Sequence, residues 1–169
     1  TATTYAGEGV LPLHEHDDAY LCLVADGAYT QQVSGAETDC APGLLLTHPR
    51  GHRHANRFSA RGARCLSIFP ARELADDSGL KRLLGDYRAL RLPDAARLLA
   101  RIECELAADD DAAPLALQSA VFELVALASL DLLETSGWEA NVDRVGAGLS
   151  SLHSLRGSPG VAHVRTIGA

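Results

Sequence analysis

Aromatic residues make up only 5% of this 169-residue chain, methionine is absent, and Trp138 is the single tryptophan. A core assembled without them must rest on Leu, Val and Ala. Cysteine is sparse as well. Cys22, Cys40, Cys65 and Cys104 stand far apart with no C-x-x-C pair. That excludes the disulfide framework of a small secreted domain and disfavours a cysteine zinc site; all four are expected as buried thiols in a reducing compartment. Basic charge is in deficit, with a net charge of −7 and a pI near 5.4. A domain that grips nucleic acid ordinarily carries a basic patch and a high pI, so direct nucleic-acid binding is not expected. The acidic excess falls on residues 73–135. The opening stretch, Thr1 to Glu8, lacks the basic and apolar segments of a secretory signal, and a soluble, cytoplasmic protein is expected.

What is present changes character along the chain. Up to residue 72, short apolar runs alternate with turn signals at Asp26-Gly27, Ser34-Gly35, Pro42-Gly43 and Pro49-Arg50-Gly51. Five or so short strands at intervals of roughly ten residues predict a β-sandwich or barrel. From Leu80 the period becomes helical: Leu80, Leu83, Leu84, Tyr87 and Leu90 form one stripe, and Leu98, Ile102 and Leu106 a second after Pro93-Asp94. After Pro114 a long helix runs to about Thr135, stopped by Gly137. It is apolar almost all round, but Gln118, Glu123 and Asp131 interrupt it, which argues against a membrane span. Such a helix needs cover on every side, so homodimerisation through the helices is expected. The fold class is therefore mainly β, a barrel followed by a helical segment. The divisions are 1–72 for the barrel, 73–137 for the helical dimerisation segment and 138–169 for a loosely ordered, Gly-rich tail holding His153 and His163, both expected to be exposed.

Five of the seven histidines lie in two segments, His14-Glu15-His16 and His48 to His54. Side chains on a strand alternate faces, so His14, His16, Asp18, Tyr20, Cys22 and Val24 are expected on one side of a first strand. His52, His54, Asn56 and Phe58 are expected on one side of a second. Two imidazoles from an H-x-H pair and a third from a paired strand suit a divalent transition metal. The same set also fits a polar ligand pocket without metal. His48 and His52, beside a turn, are read as structural. Arg50, Arg53, Arg57, Arg61 and Arg64 flank the second segment; an anionic effector is one reading and a solvated strand face the preferred one.

With these residues in view the chain resembles the cupin superfamily over about residues 5–70. Gly9, His14, His16 and Gly27 fall near the places of that family's first motif, with Tyr20 where its Glu stands. Gly43, Pro49, Gly51 and His54 match its second motif, with Phe58 where its Asn stands. The resemblance implies a double-stranded β-barrel of the cupin type with a metal held by His14, His16 and His54. The metal would be Zn, Fe, Mn or Ni, and Tyr20, His52 and Asn56 would lie on the ligand side. Barrel plus Leu-rich helices is also similar to the effector-binding and dimerisation region of AraC-type transcription regulators. That implies a homodimeric sensor domain for a small molecule or metal, without a DNA-binding helix-turn-helix of its own, either as part of a longer regulator or as a stand-alone sensor. The alternatives are a cupin-type metalloenzyme, a dioxygenase or isomerase, using the same three histidines, and a dimerising module with a vestigial pocket.

Overall fold

The computed structural model describes residues 2–70, 78–135 and 162–163. Two long bent strands, β3 (Tyr20–Val33) and β6 (His54–Pro70), pair antiparallel from Leu21↔Ile68 to Gln32↔Ala55 and form the spine of the sheet. The strands β1 (Ala2–Tyr5) and β2 (Gly9–His14) pair with β6, while β4 (Ala36–Cys40) and β5 (Leu44–His48) pair with β3. The chain continues through α1 (Ser78–Leu84), β7 (Arg88–Arg91), α2 (Ala95–Ala107) and α3 (Ala113–Thr135). β7 extends the sheet on β5, and β8 (Ala162–His163) pairs with the end of β6. The mainly β architecture with a helical segment is the one expected.

The turn expected at Asp26-Gly27 is a bend inside a continuous strand. β3 runs through Gly27 without a break, and β6 likewise runs unbroken through Gly62. The reason is a backbone crossing. Gly27 has φ +72 and a Cβ there would lie 2.2 Å from the Gly62 carbonyl oxygen; Gly62 has φ +70 and a Cβ there would lie 2.0 Å from the Tyr5 carbonyl oxygen. Both positions need the left-handed conformation and a bare backbone, which lets the paired strands fold over together. The stripe from Leu80 to Leu90 is likewise not one helix. Gly85-Asp86 ends α1, and Leu90 and Leu92 then alternate into the core with Arg91 exposed between them.

The strands bury two faces. Leu21, Leu23, Leu45, Leu66 and Ile68 point outward beneath a layer containing Leu83, Leu98, Ile102 and Leu124 from the helices. Tyr20, Cys22, Val24, Leu44, Leu46 and Cys65 point inward with Tyr29, Cys40 and Phe58. A strand apolar on both sides must be covered on both, and the helices supply the outer cover. Cys22, Cys40 and Cys65 are buried, but Cys104 is exposed, against expectation, because it lies off the Leu98–Leu99–Ile102 stripe that α2 buries. Leu106, placed on that stripe by its spacing, is 38% exposed in the last turn.

The helix α3 includes a segment, Ala113–Leu132, long and apolar enough to cross a membrane. Here Ala120, Leu124 and Ala128 are fully buried against the rest of the core. Glu123, in mid-helix, accepts from Arg97 at 2.6 Å and Arg101 at 3.2 Å, both on α2.

Candidate metal centre

The strand β2 ends at His14 and β3 begins at Tyr20, so His16 stands on the link between them rather than on one strand with both neighbours. The shared face expected from His14 to Val24 is therefore broken, and Asp18 is exposed. The two imidazoles still converge, because the link folds back over the sheet where Gly51 N–H donates to the His16 carbonyl at 2.9 Å. The His14 and His16 rings meet edge-on with centroids 5.1 Å apart. The register of β2 on β6 sets His14 opposite His54, whose ring lies 4.3 Å from that of His14 and 5.5 Å from that of His16. One ring nitrogen from each of the three lies within 4.8 Å of the others.

Hydrogen bonds select the nitrogens on offer. A carbonyl oxygen only accepts. Nδ1–H of His14 therefore donates to Pro12 O at 2.8 Å and Nδ1–H of His54 to His52 O at 3.1 Å. In each ring Nε2 is left with its lone pair, the arrangement in which the other nitrogen's partner orients a metal-binding histidine. The Tyr20 hydroxyl lies 3.5 Å from His54 Nε2. Burial pushes its pKa well up, so it acts as a neutral donor there.

The remaining site residues extend this set inward. His48 closes β5, is 2% exposed, and stacks on Tyr20 with centroids 4.4 Å apart at 5°. His52 precedes β6 and stacks on Tyr87 at 4.9 Å and 8°. Tyr87 is fixed in turn by its hydroxyl, which donates to Thr38 Oγ1 at 3.3 Å. Asn56 faces Gln31 across the β6–β3 register, and Asn56 Oδ1 and Gln31 Nε2 are buried without a hydrogen-bond partner. Neither His48 nor Tyr87 was expected in the site. The Pro49-Arg50-Gly51 turn directed the reading of His48 towards structure, and the false helical stripe absorbed Tyr87. The Arg-Ala-Leu-Arg-Leu alternation after Gly85 was the available signal for Tyr87.

Desolvation, with mutual repulsion among the imidazoles, holds His48 down at about 2 and His54 at about 4, and it lowers His16; desolvation alone lowers His52. These rings are neutral at pH 7, the form that ligates metals. The arginines nearby are not gathered on an anion site: Arg53 pairs with Glu15, Arg57 with Glu37 and Arg64 with Glu103.

The chemistry of the donor set fits a divalent transition metal. Imidazole nitrogens bind such ions at about 2.0–2.1 Å, and three neutral donors from one side leave further positions open. No acidic group belongs to this histidine cluster among the described residues.

No family profile and no curated protein matches the chain. Solved structures similar to it include KdgF from a Halomonas species, at 17% identity over 40% of this chain and 63% of that one, with a TM-score of 0.37. A cupin superfamily protein from Desulfitobacterium hafniense has 19% identity over 38% and 59%, with a TM-score of 0.35. Bacillus subtilis oxalate decarboxylase, a protein with Mn(II) centres, has 22% identity over 40% and 19%, with a TM-score of 0.37. This chain spans less than two thirds of the length of each of them.

Proposed function

We propose that the chain is a sensor domain in which His14, His16 and His54 hold one divalent transition metal and the buried polar wall beyond them receives a small polar ligand. The convergence of three imidazoles, two of them with Nδ1 tied to a backbone carbonyl, carries the reading. A bound ion would supply Lewis acidity and open coordination positions. The chain's own residues do the rest: with the ion on His54 Nε2 the neighbouring Tyr20 hydroxyl is free to donate to the ligand, His52 stacks on Tyr87, and Asn56 and Gln31 offer an acceptor and a donor to it. On this reading residues 1–72 sense. Residues 73–137 pass the signal on through the contacts of β7 with β5 and of the helices with the outer sheet face, and they pair two copies as in regulators of the AraC type. The chain itself does not touch DNA, and it works in the cytoplasm.

Loading with Co(II) tests the metal reading. About one ion per chain is expected, with contact-shifted ring resonances in NMR that include His14 and His16. Shifted signals confined to other residues, or no uptake, would overturn it. Oxygen consumption or isomerisation by the Fe(II)-loaded protein would replace the sensor with a metalloenzyme on the same three ligands.

A further inference from the structure

We infer that the interior holds a second position for the same ion, built from His48, His52 and His54. One nitrogen from each of these three rings also lies within 4.8 Å of the other two. The ring centroids of His48 and His54 are 4.6 Å apart, those of His48 and His52 are 5.6 Å apart, and those of His52 and His54 are 5.8 Å apart. Two of the three rings carry an unexplained atom: Nδ1 of His48 and Nδ1 of His52 are buried and have no hydrogen-bond partner. A buried polar nitrogen left unpaired costs free energy of about 1–3 kcal/mol, and a metal bond removes that cost for both atoms. Stacking on Tyr20 and Tyr87 fixes the planes of the two rings, so the donors are held in place.

The two positions exclude one another. His54 belongs to both triads, and its Nδ1 is engaged by the His52 carbonyl, which leaves Nε2 alone to bind. One lone pair serves one ion. Tyr20 stands between the two, edge-on to His16 at 4.9 Å and flat against His48 at 4.4 Å, with its hydroxyl at the shared nitrogen. The site thus takes one divalent ion at an outer position, with His14 and His16, or at an inner one, with His48 and His52. This deepens the metal reading above, and the two fail separately.

Co(II) titration of three variants distinguishes them, with circular dichroism showing that each is folded. His14→Ala/His16→Ala alters two partly exposed residues and leaves the inner triad whole. His48→Phe/His52→Gln keeps the aromatic stack on Tyr20 and leaves the outer triad whole. His54→Gln removes the shared ligand. Expected are one ion per wild-type chain and one ion in each double variant, bound within about a hundredfold of the wild type but with different visible ligand-field bands. Uptake by His54→Gln is expected to fall at least a hundredfold. Loss of binding in His14→Ala/His16→Ala alone overturns the inner position and leaves the outer one standing. Loss in His48→Phe/His52→Gln alone does the reverse. Two ions per wild-type chain, or loss in both double variants, overturns the alternation.

Discussion

The inner and outer faces of the β3–β6 spine are made by alternate residues of the same strands, yet they are built for different ends. Outward go Leu21, Leu23, Leu45, Leu66 and Ile68, which pack with other apolar groups under the helices. Inward go Tyr20, Cys22, Tyr29, Cys65 and, further along, Gln31, Asn56 and His54, which bring hydroxyls, thiols, amides and imidazoles into a confined space. Apolar burial stabilises at about 25 cal/mol per Å², whereas each buried polar group must find a partner to break even. The outer face therefore holds the fold, and the inner face gives up part of that stability to hold neutral polar groups, some of them, such as His48 Nδ1, His52 Nδ1, Gln31 Nε2 and Asn56 Oδ1, without a partner.

The largest way to break that contrast is on the outer face. Leu23 is fully buried between sheet and helices; Leu23→Ala removes its packing and leaves a cavity, and is expected to lower stability by about 3 kcal/mol in urea unfolding. Co(II) uptake by the molecules that stay folded should be unchanged, since Leu23 lies on the helix-covered face of the sheet, apart from the histidine triads. His16→Ala should act in the opposite sense, with an unfolding midpoint near that of the metal-free wild type and an altered metal spectrum. If Leu23→Ala changes the spectrum as much as His16→Ala does, the faces are not independent.

Which of these features the chain announces depends on whether the signal is local. The His14-x-His16 pair, the Gly43–Pro49–Gly51–His54 spacing and the apolar run after Pro114 are local, and the structure brings the three expected histidines together and forms a helix from Ala113 to Thr135. The continuity of β3 and β6 is not local. Asp26-Gly27 reads locally as a turn and nothing local marks Gly62, because the need both glycines answer, close backbone approach at a crossing, comes from strands far away in sequence. His48 and Tyr87 enter the site through cross-strand register, with Tyr20 opposite His48 and β7 carried onto β5. A helical period that happens to fit Leu80 to Leu90 hides the second of these.

Acid should expose the cost of the inner face. His48 and His54 have folded pKa values of about 2 and about 4, both below the ordinary 6.5. Below pH 6.5 the unfolded chain therefore takes up protons that the folded chain refuses, and stability falls with pH. The part owed to these two rings is full above about 6.5, declines through the range down to about 4 on account of both, and from there to about 2 on account of His48 alone; the lowered His16 and His52 act in the same direction. With solvent access to His54 allowed for, these two rings alone are expected to cost the metal-free protein about 3 kcal/mol between pH 7 and pH 5. His48→Phe removes that ring's share, about 2 kcal/mol, while keeping the stack on Tyr20, so its loss over the same interval should be smaller by about that amount. An unfolding free energy in the variant that tracks the wild type at both pH values would mean that His48 is protonated inside the fold and that the inner face is wetter than its burial implies.

The smallest effect on stability, and the sharpest on assembly, is expected on the far side of the outer layer. The helix α3 turns Ala120, Leu124 and Ala128 to the core, but leaves Leu115 71% and Leu130 43% exposed. Both leucines lie outside the packed core cluster, so Leu115→Glu together with Leu130→Glu should change the unfolding free energy of the monomer by no more than about 0.5 kcal/mol. If two copies pair through this helix, the carboxylates end up buried without a partner, and that cost disfavours association by several kcal/mol. Sedimentation at matched concentration is then expected to show a dimer for the wild type and a monomer for the double variant. A wild-type chain that already sediments as a monomer would place the cover for Leu115 and Leu130 elsewhere, and would confine the outer layer's role to the single barrel it protects.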